Sequence, residues 1–450
     1  MQKNNETPTA DPTVVTPSKS YAYYALTTLT LLNLLNYVDR YIFAALIPYI
    51  KADTGYNDAQ LGWVGSAFTI VYTVCSPLFG YLGDRYRRGR LIAFGIVIWS
   101  LATAGAAIAA NFWQLLVSRT AVGIGEANYA TIAPGLLSDF FIKARRGMVM
   151  SIFFAAIPVG TAIGYLSGGY LGAPARLGWR HTLLLVGLPG LLTAFAAWFM
   201  REPARGAMDE MGSLAKQAPV SWWESNRVLL ANRGYVFASL GYAASTFALG
   251  ALVFWAPEWL KSDKGLTAEE ANTVLALCAI GGGFLGTMLG GAIGDWLGKR
   301  IKGAYYWVCA ASCVLAAPFA YAALVAPDRK TLTVCIFISM TLVFIGNGPV
   351  NALLVNLVAP HMRTSAIGLS VVTIHILGDG ISLFLVGVIS TWLKAHQAAL
   401  PGFVTSLGQT VGLNPGVQTL SMALLIMPLA LLVGGVLYAW GLRTKEGQQV

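Results

Sequence analysis

The chain has 450 residues, of which 56% are hydrophobic and only 11% charged, less than half the charged share of an ordinary soluble domain. With a mean hydropathy of +0.62 and 12% aromatic residues, it can be neither a water-soluble enzyme nor a disordered chain; lipid is the solvent for most of its surface. The formal charge of +10 follows from where the basic residues fall, and no nucleic-acid partner is needed to account for it.

Residues 1–19 are polar and rich in Thr and Pro, and they read as a disordered tail without a cleavable signal. Apolar stretches long enough to cross about 30 Å of hydrocarbon then follow near 21–48, 58–82, 91–110, 112–139, 148–171 and 181–200. A polar linker, 201–232, holds Arg201, Glu202, Arg205, Asp209, Glu210 and Lys216, with a short amphipathic piece around Trp222 and Trp223. Six more stretches lie near 234–260, 267–296, 303–325, 331–358, 364–393 and 417–441. Lipid offers the backbone no hydrogen-bond partner, so all twelve are predicted helices. The expected organisation is a helical bundle over 20–200, the linker, a second bundle over 233–442, and a tail over 443–450.

An even number of spans puts both termini on one side. Of the 30 Lys and Arg residues, twenty fall on that side, eight on the other, and Arg40 and Arg119 lie within helices. The excess of base predicts cytoplasmic termini. The halves also repeat: Gly80-Tyr81-Leu82-Gly83-Asp84-Arg85 follows the second helix, and Gly291-Ala292-Ile293-Gly294-Asp295 with nearby bases follows the eighth, 211 positions on. A duplicated six-helix unit is the mark of a transporter whose halves rock about a central site.

Four charges stand inside the first six helices: Asp39, Arg40, Arg119 and Glu126. Each costs on the order of 2.5–3.5 kcal/mol at mid-membrane, and their formal sum of zero suggests mutual pairing. At ~1.5 Å per residue, Asp39 and Arg119 come out level, while Arg40 can reach toward Glu126. Static ion pairs between helices 1 and 4 are one reading. The other is that Glu126 or Asp39 takes up a proton and frees an Arg for an anionic headgroup. Asn33, Tyr37 and Arg40 repeat on one helix face, as interhelical hydrogen bonders or cavity residues.

In the second half, Phe247, Phe254, Trp255, Asn347 and Asn351 are the expected weakly polar or aromatic cavity wall. His375 and Asp379, four apart on helix 11, read either as a static pair against helix 2 or as a proton or gating pair. Asp84, Arg85, Arg88 and Asp295 mark the candidate gate at the helix 2 and helix 8 exits, where a carboxylate could cap the positive end of a helix in the other bundle. Gly160, Gly164 and Gly168 in helix 5, and Gly282, Gly286, Gly290 and Gly294 in helix 8, form small-residue stripes. They suit tight packing or sliding contact between bundles.

The five Cys residues lie in apolar runs with no zinc spacing. Gly281-x-Gly283-x-x-Gly286 has no preceding strand and is not a dinucleotide fingerprint. No metal or cofactor is expected, and no hydrolase constellation can be assembled from His181, His361, His375 and His396.

At the Gly80–Arg90 segment and at Arg119-x-x-x-Gly123-x-Gly125-Glu126-Ala127 the chain resembles the major facilitator superfamily. Gly89 stands where that family's loop commonly has a base, and Arg87 where a Gly is common. Within it, Asn36-Tyr37-Val38-Asp39-Arg40-Tyr41, Gly123–Ala130, Arg201–Gly206 and His375-Ile376-Leu377-Gly378-Asp379 resemble the Spinster lipid transporters. The resemblance implies an all-α membrane fold of twelve helices in two pseudo-symmetric six-helix bundles. It further implies alternating access and proton-coupled movement of a lysophospholipid or sphingolipid-like amphipathic anion, and helix 11 as the partner of Asp84. An exporter of drugs or small organic anions, or a non-transporting lipid-binding receptor, are the alternatives. The expected partners are membrane lipids, the amphipathic substrate and protons, with the chain a monomer.

Overall fold

The computed structural model describes residues 18–141, 143–203, 208, 222–358 and 362–448. The side chains of 84, 143–148, 151, 222–225, 295, 363 and 364 lie outside that description. The described residues form twelve long rods and no strand. The first six are α1 (Lys19–Thr54), α2 (Asp58–Arg85), α3 (Arg88–Ala107), α4 (Phe112–Ser138), α5 (Lys143–Leu171) and α6 (Gly178–Trp198). After a linker helix, Trp222–Ala231, come α7 (Arg233–Ser262), α8 (Ala268–Gly298), α9 (Ala304–Val325) and α10 (Arg329–Asn356). The last two rods are α11 (residues 363–395) and α12 (Thr419–Leu442).

Short polar caps start these rods. Asn57 and Thr267 each form a reciprocal capping box with the residue three places on, satisfying N–H groups that lipid cannot. Gly55, at φ 71°, ends α1 in the left-handed region that only glycine enters cheaply.

Ten rods are apolar enough by composition alone to cross a membrane. The two that are not, α1 and α4, carry buried Asn33, Asn36, Asp39, Arg119, Glu126 and Asn128. Their polar groups turn into the protein, away from the surrounding lipid. The chain is an integral, multi-pass membrane protein.

In the first half α1 packs along α5, and α2 and α3 pack along α4; in the second, α7 and α9 pack along α12 and α8 along α10. Both glycine stripes serve these contacts inside one half. A Cβ at Gly160 would stand 2.7 Å from the Leu34 carbonyl oxygen, and one at Gly164 would stand 2.9 Å from that of Val38. The α8 stripe lies on Phe337, Thr341, Phe344 and Ile345 of α10. The sliding reading is therefore corrected, because these faces are used up by close packing within each bundle. Gly164→Val should cost about 1–3 kcal/mol by overpacking, read as a lowered unfolding midpoint in detergent.

Between halves, α2 runs against α11, α5 against α8, and α1 touches α7. Bonds that bridge the halves cluster at the end away from the termini. Examples are Lys261 Nζ to the Pro48 carbonyl (3.2 Å), Asn272 Nδ2 to the Ala45 carbonyl (3.2 Å) and Tyr165 OH to the Val253 carbonyl (2.7 Å).

Candidate functional site

Helical spacing sends Asp39 and Arg40 in different directions from α1. Arg40 turns toward α4, where its Nη2 and Nε donate to Glu126 Oε2 at 2.7 and 3.0 Å. Glu126 is fully buried, whereas the Arg40 side chain keeps 20% of its surface open. Asp39 is 2% exposed and accepts from the Thr103 hydroxyl of α3 at 2.6 Å. The expected Asp39–Arg119 ion pair is not formed. Being level along the membrane normal is insufficient, because helix rotation aims Asp39 at α3.

That leaves Arg119 3% exposed, with its Nε and Nη1 without hydrogen-bond partners. Glu126 Oε1 and Asp39 Oδ1 are likewise unmatched. Aromatic rings partly compensate the two cations. The Arg40 guanidinium carbon lies 5.2 Å from the ring centres of Tyr37 and Phe68 and 4.9 Å from that of Tyr72. Arg119 lies 4.5 Å from the Phe43 ring and 5.2 Å from that of Phe68. Phe68 of α2 is thus shared by both guanidinium groups.

Arg40, Arg119 and the rings of Phe43, Phe68 and Tyr72 face a cavity of about 170 Å³ between the two halves. Its opposite wall is Thr246, Leu249, Gly250, Val253 and Phe254 of α7, with His375, Asp379 and Leu383 of α11. There α11 is wound as a π-helix over Ile374–Gly380, broken at Gly378, the kind of irregularity that membrane helices tolerate where they line a cavity. His375 Nδ1 sits 3.1 Å from Asp379 Oδ1, and the Tyr72 ring meets the His375 ring edge-on at 5.6 Å. A continuous run, Glu126–Arg40–Tyr72–His375–Asp379, crosses from one half to the other.

Several expected residues lie elsewhere. Asn33 is buried and donates to the Phe153 carbonyl of α5 at 2.9 Å, which makes it a helix fastener. Trp255 is fully buried, and its indole donates to the Leu383 carbonyl at 2.9 Å. Tyr37 touches Arg40 but does not line the cavity, and neither do Phe247, Asn347 or Asn351. Asn351 is exposed and donates to the carbonyl of Asn347, one turn back. Apolar periodicity marks what is buried without saying which neighbour buries it.

Of the candidate gate residues, Asp84 and Asp295 have side chains outside the described residues. Arg85 is exposed over the Tyr81 ring. Arg88 is corrected as a gate group. It is 8% exposed, 2.7 Å from Asp139 and 3.7 Å from Glu202, while Glu202 also accepts from the Gly89 N–H at 2.8 Å. It therefore ties the linker to α3 within the first half.

An unanticipated cluster closes the other end. Asp58, at the start of α2, has a fully buried side chain, 2.5 Å from Lys51 of α1 and 2.6 Å from Lys394 of α11. It also accepts from Ser390 at 2.7 Å. Lys51 in turn meets Glu258 of α7 at 2.6 Å. Two acids and two bases near four helix ends at one level were the available signal. Read singly, the lysines pass for ordinary loop charges.

Two six-helix halves enclosing a charged cavity, sealed at one end by ion pairs across the halves, define a membrane transporter and not an enzyme. The profile described as Major Facilitator Superfamily matches residues 29–381. Protein spinster homolog 1 of Homo sapiens is 35% identical over 380 residues, covering 80% of this chain and 71% of that protein. The sphingosine-1-phosphate transporter SPNS2 of Mus musculus is 34% identical over 404 residues, covering 86% and 73%. The crystal structure of a bacterial homolog of the human lysosomal transporter Spinster, inward-facing and unoccupied, has the same fold. It aligns with a TM-score of 0.84 at 24% identity, covering 95% of this chain and 98% of that one. The chain belongs to the Spinster family of the Major Facilitator Superfamily.

Proposed function

We propose that the chain is a proton-coupled secondary transporter, working by alternating access, whose cargo is an amphipathic anion of the lysophospholipid or sphingolipid-like kind. The observation that carries this reading is Arg119, a buried cation on the cavity wall with two nitrogens unmatched. A guanidinium in a low-dielectric site with two nitrogens lacking acceptors favours an anion, and a phosphate satisfies it with paired hydrogen bonds. Across the cavity, Leu249, Val253, Phe254 and Leu383 offer an apolar surface to the start of a tail. About 170 Å³ is the room of five or six waters, so the cavity takes a headgroup while the tail extends beyond it. The name of the mouse relative, a sphingosine-1-phosphate transporter, agrees with such a cargo.

Coupling follows from the Arg40–Glu126 pair. A proton on Glu126 removes the charge that holds Arg40, which then turns to the cargo's headgroup; loss of the proton re-forms the pair and releases the cargo. The ion pairs at the distal end keep the cavity shut on that side, so the proposed motion exchanges them for an equivalent closure at the end bearing the termini. The bias of basic residues supports cytoplasmic termini.

Flux in proteoliposomes under an imposed pH gradient tests the assignment, with labelled lysophospholipids, sphingosine phosphate and small organic anions as separate cargoes. Gradient-driven movement of intact phosphate-bearing lysolipids is the expected result. Movement of the small anions alone would overturn the lipid assignment.

A further inference from the structure

A second hollow, of about 560 Å³, lies apart from the central cavity, at the end of the molecule that carries the termini. It opens between the first turn of α7 and the end of α12, lined by Arg233, Arg443 and Lys445 with Phe237, Trp440 and Glu446. Three cations face one carboxylate. Phe237 and Trp440 meet edge to face, 6.0 Å between ring centres, and Trp440 remains half exposed.

The three basic side chains are exposed, but the backbone that carries two of them is fixed. Beyond α12 the chain turns back on itself: the Thr444 hydroxyl donates to the Gly441 carbonyl at 2.6 Å and accepts from the Gly447 N–H at 3.1 Å. This turn is seated on α7, where a Cβ at Gly234 would lie 3.2 Å from both Glu446 Cβ and Thr444 Oγ1. Arg443 and Lys445 are thereby held opposite Arg233, some 210 positions earlier in the chain. Charges that served only to orient the protein in the membrane would need neither the turn nor the convergence.

We propose that this hollow binds the phosphate of an acidic phospholipid from the cytoplasmic leaflet, at a site separate from the cargo cavity. The leaflet assignment rests on the orientation argued under Proposed function. Guanidinium groups suit phosphate oxygens, a Trp at the membrane rim suits the upper acyl chain, and basic pockets between helices are a recurrent form of headgroup site. The same α7 reaches the cavity at Thr246, Gly250 and Phe254, so an occupied hollow braces a helix of the transport site.

The test uses the full chain in detergent, following its unfolding midpoint with added phosphatidylglycerol, phosphatidylcholine or inorganic phosphate. Phosphatidylglycerol should raise the wild-type midpoint by on the order of 3–5 °C more than phosphatidylcholine does. The triple variant Arg233→Gln/Arg443→Gln/Lys445→Gln should lose most of that difference. Lys299→Gln/Arg300→Gln/Lys302→Gln, which removes equal charge from the same end, should keep it. Arg233→Lys/Arg443→Lys should retain part of it, separating charge recognition from misfolding. Equal loss in both triple variants means diffuse attraction and overturns the site. Stabilisation by inorganic phosphate to the same extent assigns it to a soluble anion and overturns the lipid. Neither failure touches the cargo reading, which is judged by flux.

Discussion

Glu126→Gln should abolish proton-driven accumulation of cargo while leaving exchange of labelled for unlabelled cargo intact. The amide keeps the shape of the protonated acid and loses the negative charge that receives both Arg40 donors at 2.7 and 3.0 Å. Arg40 then has no ionised partner on α4, and its neutralisation comes only from an incoming anion. One proton per cargo lets a one-unit pH gradient support about tenfold accumulation, since each unit is worth about 1.4 kcal/mol. The variant should fall to no accumulation, a tenfold loss, in proteoliposomes loaded at one pH and diluted into another. Exchange needs no net proton movement and should continue at a rate near wild type. Accumulation at the wild-type level in the variant would remove Glu126 from the coupling step and leave Asp39, held by Thr103, as the other carboxylate among the four charges inside the first six helices.

Opening of the distal end is the expected result of Asp58→Asn. Removing one member of a buried ion pair costs about 3–5 kcal/mol, because its partner is left charged in a poor solvent. Here the two lysine side chains are 21% and 40% exposed, and water recovers part of that loss, so roughly 1–3 kcal/mol is expected. That corresponds to a shift of about fivefold to 150-fold in favour of the state open at that end. Spin labels on Ala52→Cys and Ala398→Cys, with Cys75→Ser, would report it as a new population of longer distances. Glu258→Gln should act in the same direction and more weakly, since Glu258 meets only Lys51 within the cluster. An unchanged distance distribution in Asp58→Asn would mean that the closure rests on apolar packing of α2 against α11.

Composition, charge bias and one repeated motif determined a great deal: a membrane protein, helices as its only spanning elements, and twelve of them in a repeated six, while the family came from the resemblance of motifs such as Asn36–Tyr41 and Gly123–Ala130. They do so because lipid permits few backbone solutions and because an isolated intramembrane charge is rare enough to be informative. The pairing of Arg40 with Glu126 was within reach of the same arithmetic, since depth along a helix follows from residue number. Rotation about the helix axis does not. Asp39 met Thr103 instead of Arg119, Asn33 and Trp255 went to carbonyls of neighbouring helices, and the glycine stripes of α5 and α8 turned into their own bundles. Only the tertiary structure decided these, because a helix surrounded by apolar neighbours and lipid has no strong hydrophobic asymmetry to orient it. The same holds for Lys51, Asp58, Glu258 and Lys394, and for Arg233 with Arg443 and Lys445. Each is an ordinary end-of-helix charge in one dimension, and the groups become clusters only when rods from distant parts of the chain stop at the same height.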